Sequence, residues 1–220
     1  MADHFQSRSP NRGWVVTFAG TGINLALGVL YAWSIISKQI TKEWGWNETQ
    51  AALPYSVAIA VFAFMMVPAG RLQDKVGPRF VATLGGILCG GGLIIASLGQ
   101  SLAGMVIGFG ILAGAGIGCG YASATPPAVK WFSPARTGLI AGLVVAGFGL
   151  ASVYIAPLAN HLLGAFGIQS TFMILGVAFL MAVVVLAQLL KNPPVGYKPL
   201  GNPGHHPVAA KGGAKTGAAA

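Results

Sequence analysis

The residues of this chain that could do chemistry are few, neutral and set inside long apolar runs. Asn24 and Tyr31 stand seven positions apart, two turns of a helix, with Leu27 and Gly28 between them on the same side. Tyr121 lies in another run, flanked by the small residues Gly120 and Ala122. Amide and hydroxyl groups donate and accept hydrogen bonds, so the chemistry they offer is binding rather than bond-breaking. Nucleophilic catalysis needs a nucleophile with a base in reach. His161 is the only histidine near an apolar run, it lies at the run's end, and no Ser or Cys motif accompanies it. Cys89 and Cys119 fall inside apolar runs and read as small hydrophobes, not as a disulfide, ligands or a nucleophile. His205 and His206 form an incidental pair near the C-terminal end. No enzyme activity, metal or cofactor is expected.

A second constellation is charged: Gly70-Arg71-Leu72-Gln73-Asp74-Lys75-Val76-Gly77-Pro78-Arg79. Read as a loop between two helices, it has glycines that permit a tight reversal. Asp74 can accept charge-assisted hydrogen bonds from basic neighbours or from a helix N-terminus. A plain basic turn explains the cations but not a single acid set among them.

What must position these groups is a membrane bundle. Hydrophobic residues make up 55% of the chain and charged ones 8%, and the mean hydropathy is +0.71; a water-soluble globule of this size could not sustain that balance. The net charge of +9 suggests nucleic acid until the positions are read. No charged side chain occurs between Phe80 and Val129 or between Thr137 and Leu190, and no basic stripe carries interleaved aromatics. Charges confined to the ends of apolar runs are those of loops between spans, because a charge at the bilayer centre costs a few kcal/mol or more. Nucleic acid is therefore excluded as a partner, and the lipid bilayer takes its place.

Runs long enough to cross about 30 Å of hydrocarbon place six spans at Trp14–Ser37, Ala51–Gly70, Phe80–Leu98, Leu102–Ala124, Thr137–Ala159 and Ser170–Leu190. Lipid offers no partners for backbone groups, so each span must be a helix. Asn47 and Gln50 form a capping pair that starts the second helix before its apolar part. Of the 13 Lys and Arg, only Lys38 and Lys42 fall on one side, which leaves eleven on the other. The excess of basic residues makes both termini cytoplasmic, in a plasma or inner membrane. Residues 1–13 read as a cytoplasmic segment, 14–190 as the transmembrane domain and 191–220 as a flexible cytoplasmic loop or tail rich in Pro, Gly, Ala and Lys. Trp44, Trp46 and Tyr154 read as interfacial belt residues.

The chain holds 33 glycines. On the fourth span Gly110, Gly114 and Gly118 follow one another at intervals of four, a spacing that lets membrane helices approach closely. Pro68, Gly77, Phe80 and Gly85 are echoed by Pro157, Gly167, Phe172 and Gly176, which suggests a repeat of three spans plus three.

The segment Gly70 to Arg79 resembles the signature between the second and third helices of the major facilitator superfamily. In that family this loop is a conformational latch, a role the resemblance assigns here to Gly70, Asp74 and Arg79. Three further stretches are similar to the oxalate/formate antiporter branch, close to the monocarboxylate carriers: Leu30-Tyr31-Ala32-Trp33-Ser34, Lys130-Trp131-Phe132-Ser133-Pro134 with Arg136 and Gly138, and Lys191-Asn192-Pro193-Pro194 with Gly196-Tyr197. The resemblance covers nearly the whole chain to about Pro199.

It implies an all-α membrane protein, with six helices forming one half of a twelve-helix fold. A second six-helix half, in the same full-length chain or a partner chain, would complete it. The implied activity is secondary transport of small carboxylates such as lactate, pyruvate, formate or oxalate. The branch holds its substrate by cations, typically from the second half, and by a ring of aromatics, and the six spans here contain no Lys, Arg, Asp or Glu. Tyr121 stands at or near a substrate-contacting tyrosine of the family. Tyr31 stands where animal monocarboxylate carriers place a lysine, which argues against coupling through such a lysine. The candidate binding residues are thus Tyr121, Tyr31, Asn24 and Leu27. Tyr31 is expected ~9 Å outward of the midplane and Tyr121 slightly inward, bracketing the substrate. The alternative for each tyrosine is a belt residue or a packed aromatic, and for Asn24 it is interhelix glue.

Overall fold

A computed structural model describes residues 9–194, 196 and 197. The expected flexible tail from residue 198 onward, with His205 and His206, lies outside the described residues, as do residues 1–8 of the N-terminal segment.

Every described element is helical. Helix α1 (Ser9–Leu27) tightens into a 3-10 stretch (Gly28–Ala32) and resumes as α2 (Trp33–Trp44), and together these make the first crossing. The second crossing is α3 (Glu48–Val76) and the third is α4 (Pro78–Ser97). The fourth runs from α5 (Leu102–Met105) through a π-helical stretch (Val106–Ala113) into α6 (Gly114–Val129). After a 3-10 turn (Pro134–Arg136) comes α7 (Thr137–Ala187).

At 51 residues, a straight α7 would extend about 75 Å, far beyond the thickness of a bilayer. It does not, because Gly167 leaves helical geometry with φ 75° and ψ 178°. Helix 137–166 therefore makes the fifth crossing and helix 168–187 the sixth. The Trp131 indole, just before α7, donates to the Lys191 carbonyl, just after it, across 2.8 Å. The two ends of α7 thus meet, as a reversal requires. Trp14, at the start of crossing one, packs edge-on to Phe132 with centroids 5.3 Å apart. Beginning and end therefore share one end of the bundle, which is the end that bears the basic residues.

The capping pair forms as expected: the Gln50 backbone N–H donates to Asn47 Oδ1 (2.8 Å) and the Asn47 N–H to Gln50 Oε1 (3.1 Å). The second crossing is longer than its apolar part, however. α3 continues to Val76, so Gly70 to Val76 is helix rather than loop, and Gly70 makes no turn. The reversal falls on Gly77 alone, with φ 92° and ψ 157°.

Gly77 and Gly167 thus occupy the same region of backbone space, one essentially confined to glycine. Each follows a helix whose last proline, Pro68 or Pro157, stands nine or ten residues earlier, and the two turn at opposite ends of the bundle. The repeat read in the sequence therefore has a structural counterpart, a three-plus-three arrangement with inverted topology.

Glycines set the distances between crossings. Gly110, Gly114 and Gly118 meet Val57, Ala58 and Met65 of crossing two, while Gly108 and Gly116 meet Gly92 and Cys89 of crossing three. In crossing two only 17% of the apolar window is buried, against 67% in crossing one. The bundle thus carries a wide apolar face on its second helix.

Candidate functional site

Four aromatic side chains from four crossings meet on one side of the bundle. Tyr31 (crossing one) stands edge-to-face with Phe148 (crossing five), centroids 5.5 Å apart. Phe148 in turn meets Tyr121 (crossing four) edge-on at 5.3 Å and stacks on Phe62 (crossing two) at 6.0 Å. Phe62 and Tyr121 close the ring at 5.7 Å. Tyr31 is 44% exposed, and the other three are half-buried.

Small residues bring these rings together. Gly28 lies against Ala151 and Gly147 against the Thr21 backbone, so crossings one and five approach closely enough for Phe148 to reach Tyr31. Gly118 lies against Met65 and the Phe62 carbonyl, which seats Phe62 beside the helix that carries Tyr121. The cluster offers two phenolic hydroxyls and the positive edges of its rings. Among the described residues, the tyrosine hydroxyls that have a hydrogen-bond partner are those of Tyr154 and Tyr197. Those of Tyr31, Tyr55 and Tyr121 have none.

The two tyrosines expected to bracket a ligand are therefore joined through Phe148. Sequence reasoning missed Phe148 and Phe62. Phe148 did carry a signal, an aromatic between Gly147 and Gly149 inside a span, but a phenylalanine in an apolar run is ordinarily just core.

Asn24 and Leu27 lie elsewhere. Asn24 is fully buried; its amide donates to the Val144 carbonyl (2.8 Å), and its Oδ1 has no partner. Leu27 is fully buried and fills the space above Gly120. Both join crossing one to its neighbours beneath the aromatic face, so the shared side expected for Asn24, Leu27 and Tyr31 is split. The 3-10 stretch is one cause, since three residues per turn in place of 3.6 shift every later residue around the axis.

Tyr154 corrects a further expectation: its hydroxyl donates to the Leu25 carbonyl across 2.9 Å, so it joins helices rather than serving an interfacial belt. Trp44 and Trp46 pack on each other at 5.3 Å beside the left-handed Gly45 that ends α2.

The expected latch residues occupy the basic end. Asp74 approaches Lys130 at 3.9 Å, with both side chains exposed, a pair worth about 1 kcal/mol or less. Arg79 donates to Gln188 Oε1 (3.1 Å), and Gln188 donates to Thr83 Oγ1 (3.2 Å). Arg79 thus ties the third crossing to the end of the sixth. Gly70 is helical and has open space where a Cβ would stand. Trp131 also meets Tyr197 edge-on at 5.2 Å, so the motif segments after crossings four and six form one structure.

Two grooves lie away from the aromatic cluster. One of about 570 Å³ runs along α3 past Phe64, Val67, Arg71 and Lys75. The other, of about 380 Å³, lies between the first two crossings at the opposite end. Among the described residues no group of three or more His, Cys, Asp or Glu could hold a metal ion.

A bundle of six helices, an inverted repeat and a Gly-Asp-basic segment between its second and third helices define a family. The family model of the Major Facilitator Superfamily matches residues 14–216. The chain belongs to this superfamily.

This superfamily member is 31% identical over 180 residues to YhjX, an uncharacterised MFS-type transporter of Escherichia coli K12, which covers 81% of the chain and 44% of that protein. It is 29% identical over 201 residues to mouse monocarboxylate transporter 11, covering 91% of the chain and 44% of the relative. It is 26% identical over 183 residues to the oxalate:formate antiporter of Oxalobacter formigenes, covering 83% and 43%. The chain thus spans less than half the length of these relatives. A crystal structure of a bacterial homolog of the human lysosomal transporter Spinster, inward-facing and unoccupied, superposes with a TM-score of 0.57 at 20% identity, over 89% of this chain and 46% of that one. At that identity the likeness shows the fold alone.

Proposed function

We propose that this chain forms one half of a secondary carrier that moves small organic carboxylates, of the lactate, pyruvate, formate or oxalate type, by alternating access. The observation that carries the reading is the neutral aromatic cluster on crossings one, two, four and five, with two hydroxyls left for a ligand. Neutral donors suit a carboxylate that must be released as well as captured, since they hydrogen-bond it without locking it in place. The names of two relatives, a monocarboxylate transporter and an oxalate:formate antiporter, support this substrate class.

On this reading a second six-helix half rests on the aromatic face and on the exposed side of crossing two, and supplies the cations. Gly70, Asp74 and Arg79 act as a latch at the basic end, which faces the cytoplasm with both termini, in a plasma or inner membrane.

The test is counterflow of labelled lactate, formate and oxalate in liposomes carrying the complete twelve-helix carrier. Saturable exchange of at least one of these anions is expected. Exchange confined to non-carboxylate solutes would identify a same-fold carrier of another substrate, and no flux at all would identify a sensor; either result overturns the proposal. The 220 residues alone are expected to transport none of these anions.

A further inference from the structure

The groove of about 380 Å³ at the non-basic end is lined by Trp33, Ser37, Lys38 and Thr41 of crossing one and by Glu48 and Tyr55 of crossing two. Its charge is unusual for its place. Among the described residues Lys38 and Lys42 are the only Lys or Arg at this end, and Lys38 lines the groove. Among the described residues the only salt bridge is that of Lys130 with Asp74, so Lys38 has no acid within ion-pairing distance. Glu43, its near neighbour, is engaged by the Gln39 amide. Glu48 lies in the first turn of α3, where the helix dipole favours a negative charge.

The aromatic wall of the groove is held rigidly. The Trp33 indole donates to the Ala51 carbonyl (3.1 Å) and stacks on Phe109 at 4.3 Å and on Tyr55 at 6.2 Å. The Tyr55 hydroxyl has no hydrogen-bond partner among the described residues. Tyr55 precedes Phe62 by seven positions on α3, so the groove stands two turns, about 10 Å, along the same helix face from the aromatic cluster.

We propose that this groove is an outer capture site for small monocarboxylates, in which Lys38 and the Tyr55 hydroxyl take the carboxylate and Glu48 disfavours dianions. This rests on the carboxylate reading of the aromatic cluster and narrows it. The groove's one cation can pair with one carboxylate, and its one acid repels a second. Trp33 and Tyr55 offer apolar faces to the short chain of a monoanion.

In oriented liposomes carrying the complete carrier, Lys38→Gln raises the external half-saturation concentration for lactate about three- to fivefold, the scale of an exposed ion pair. It leaves the internal value unchanged. Lys38→Arg retains most of the affinity, and added salt shrinks the difference because the site is open to solvent. Glu48→Gln lowers the external value for oxalate more than for lactate. Equal external values for wild type and Lys38→Gln, or equal rises on both sides, overturn the proposal.

A second readout separates it from the transport reading. Lactate slows acylation of Lys38 by a membrane-impermeant amine-reactive ester, whereas oxalate does so less. Absence of protection overturns the groove even in a carrier that moves lactate. A carrier that moves no carboxylate overturns the transport reading, and the protection experiment still decides the groove.

Discussion

The Asn24 side-chain amide donates to the Val144 carbonyl across 2.8 Å, and this bond ties the first crossing to the fifth at a fully buried point. With Thr21 donating to the Leu143 carbonyl (3.3 Å) and Tyr154 to the Leu25 carbonyl (2.9 Å), it makes three polar ties between the same two crossings. Crossings one and five are therefore fastened to each other along their length. Asn24→Ala removes one tie and leaves a small void, so stability falls by about 1–2 kcal/mol, while the half-saturation for substrate stays within about twofold. Unfolding in mixed micelles and transport kinetics measure the two effects. A large loss of affinity at unchanged stability would place Asn24 in the binding site after all.

Tyr121 and Tyr31 call for the opposite pattern. Their rings are held by Phe148, and the proposed function assigns their hydroxyls to the substrate. Tyr121→Phe keeps the ring contacts and removes one hydrogen bond to a charged group, so the half-saturation rises about tenfold or more with stability unchanged. Tyr31→Phe has a smaller effect, because Tyr31 is 44% exposed and water competes for its place. Phe148→Ala breaks the ring contacts to both tyrosines and lowers stability and affinity together.

The six crossings and the capping box were legible because both depend on local chemistry: the length of charge-free runs, and a polar pair three residues apart. The end of the second crossing was not. Gly70, Arg71, Asp74 and Lys75 are polar or small, and polarity marks where a span leaves the hydrocarbon, not where its helix stops. Tyr121 and Tyr31 could be singled out as polar groups in apolar runs, whereas Phe148 and Phe62 could not. Their roles come from which helices the glycines bring together. The 3-10 stretch in crossing one was equally hidden, and it separates Tyr31 from the side that carries Asn24.

Gly77 and Gly167 turn the chain with φ of 92° and 75°, and neither would set a Cβ within 4 Å of another atom. Substitution there is therefore a backbone effect alone. Gly77→Ala and Gly167→Ala each cost about 1–3 kcal/mol. Gly91→Ala, at a helical position with equally open surroundings, costs nothing or stabilises. Matched unfolding curves of the three variants check the contrast, and equal stability in all three would remove the conformational account of the reversals.

Gly70 poses the sharpest question at the basic end. It is helical, and a Cβ there would meet nothing within 4 Å, so within this bundle Gly70→Ala should stabilise α3 by up to about 1 kcal/mol. A bare backbone at a half-buried helical position with open space around it nevertheless suits the close approach of another helix, which is what the latch proposal asks of the second half. The expected result is a bundle at least as stable as the wild type, whose transport rate in the complete carrier falls about tenfold. Gly142→Ala, exposed in crossing five with equal space around it, should leave both quantities unchanged. If Gly70→Ala transports normally, Gly70 is not the point of approach, and the latch would have to rest on Asp74 and Arg79 alone.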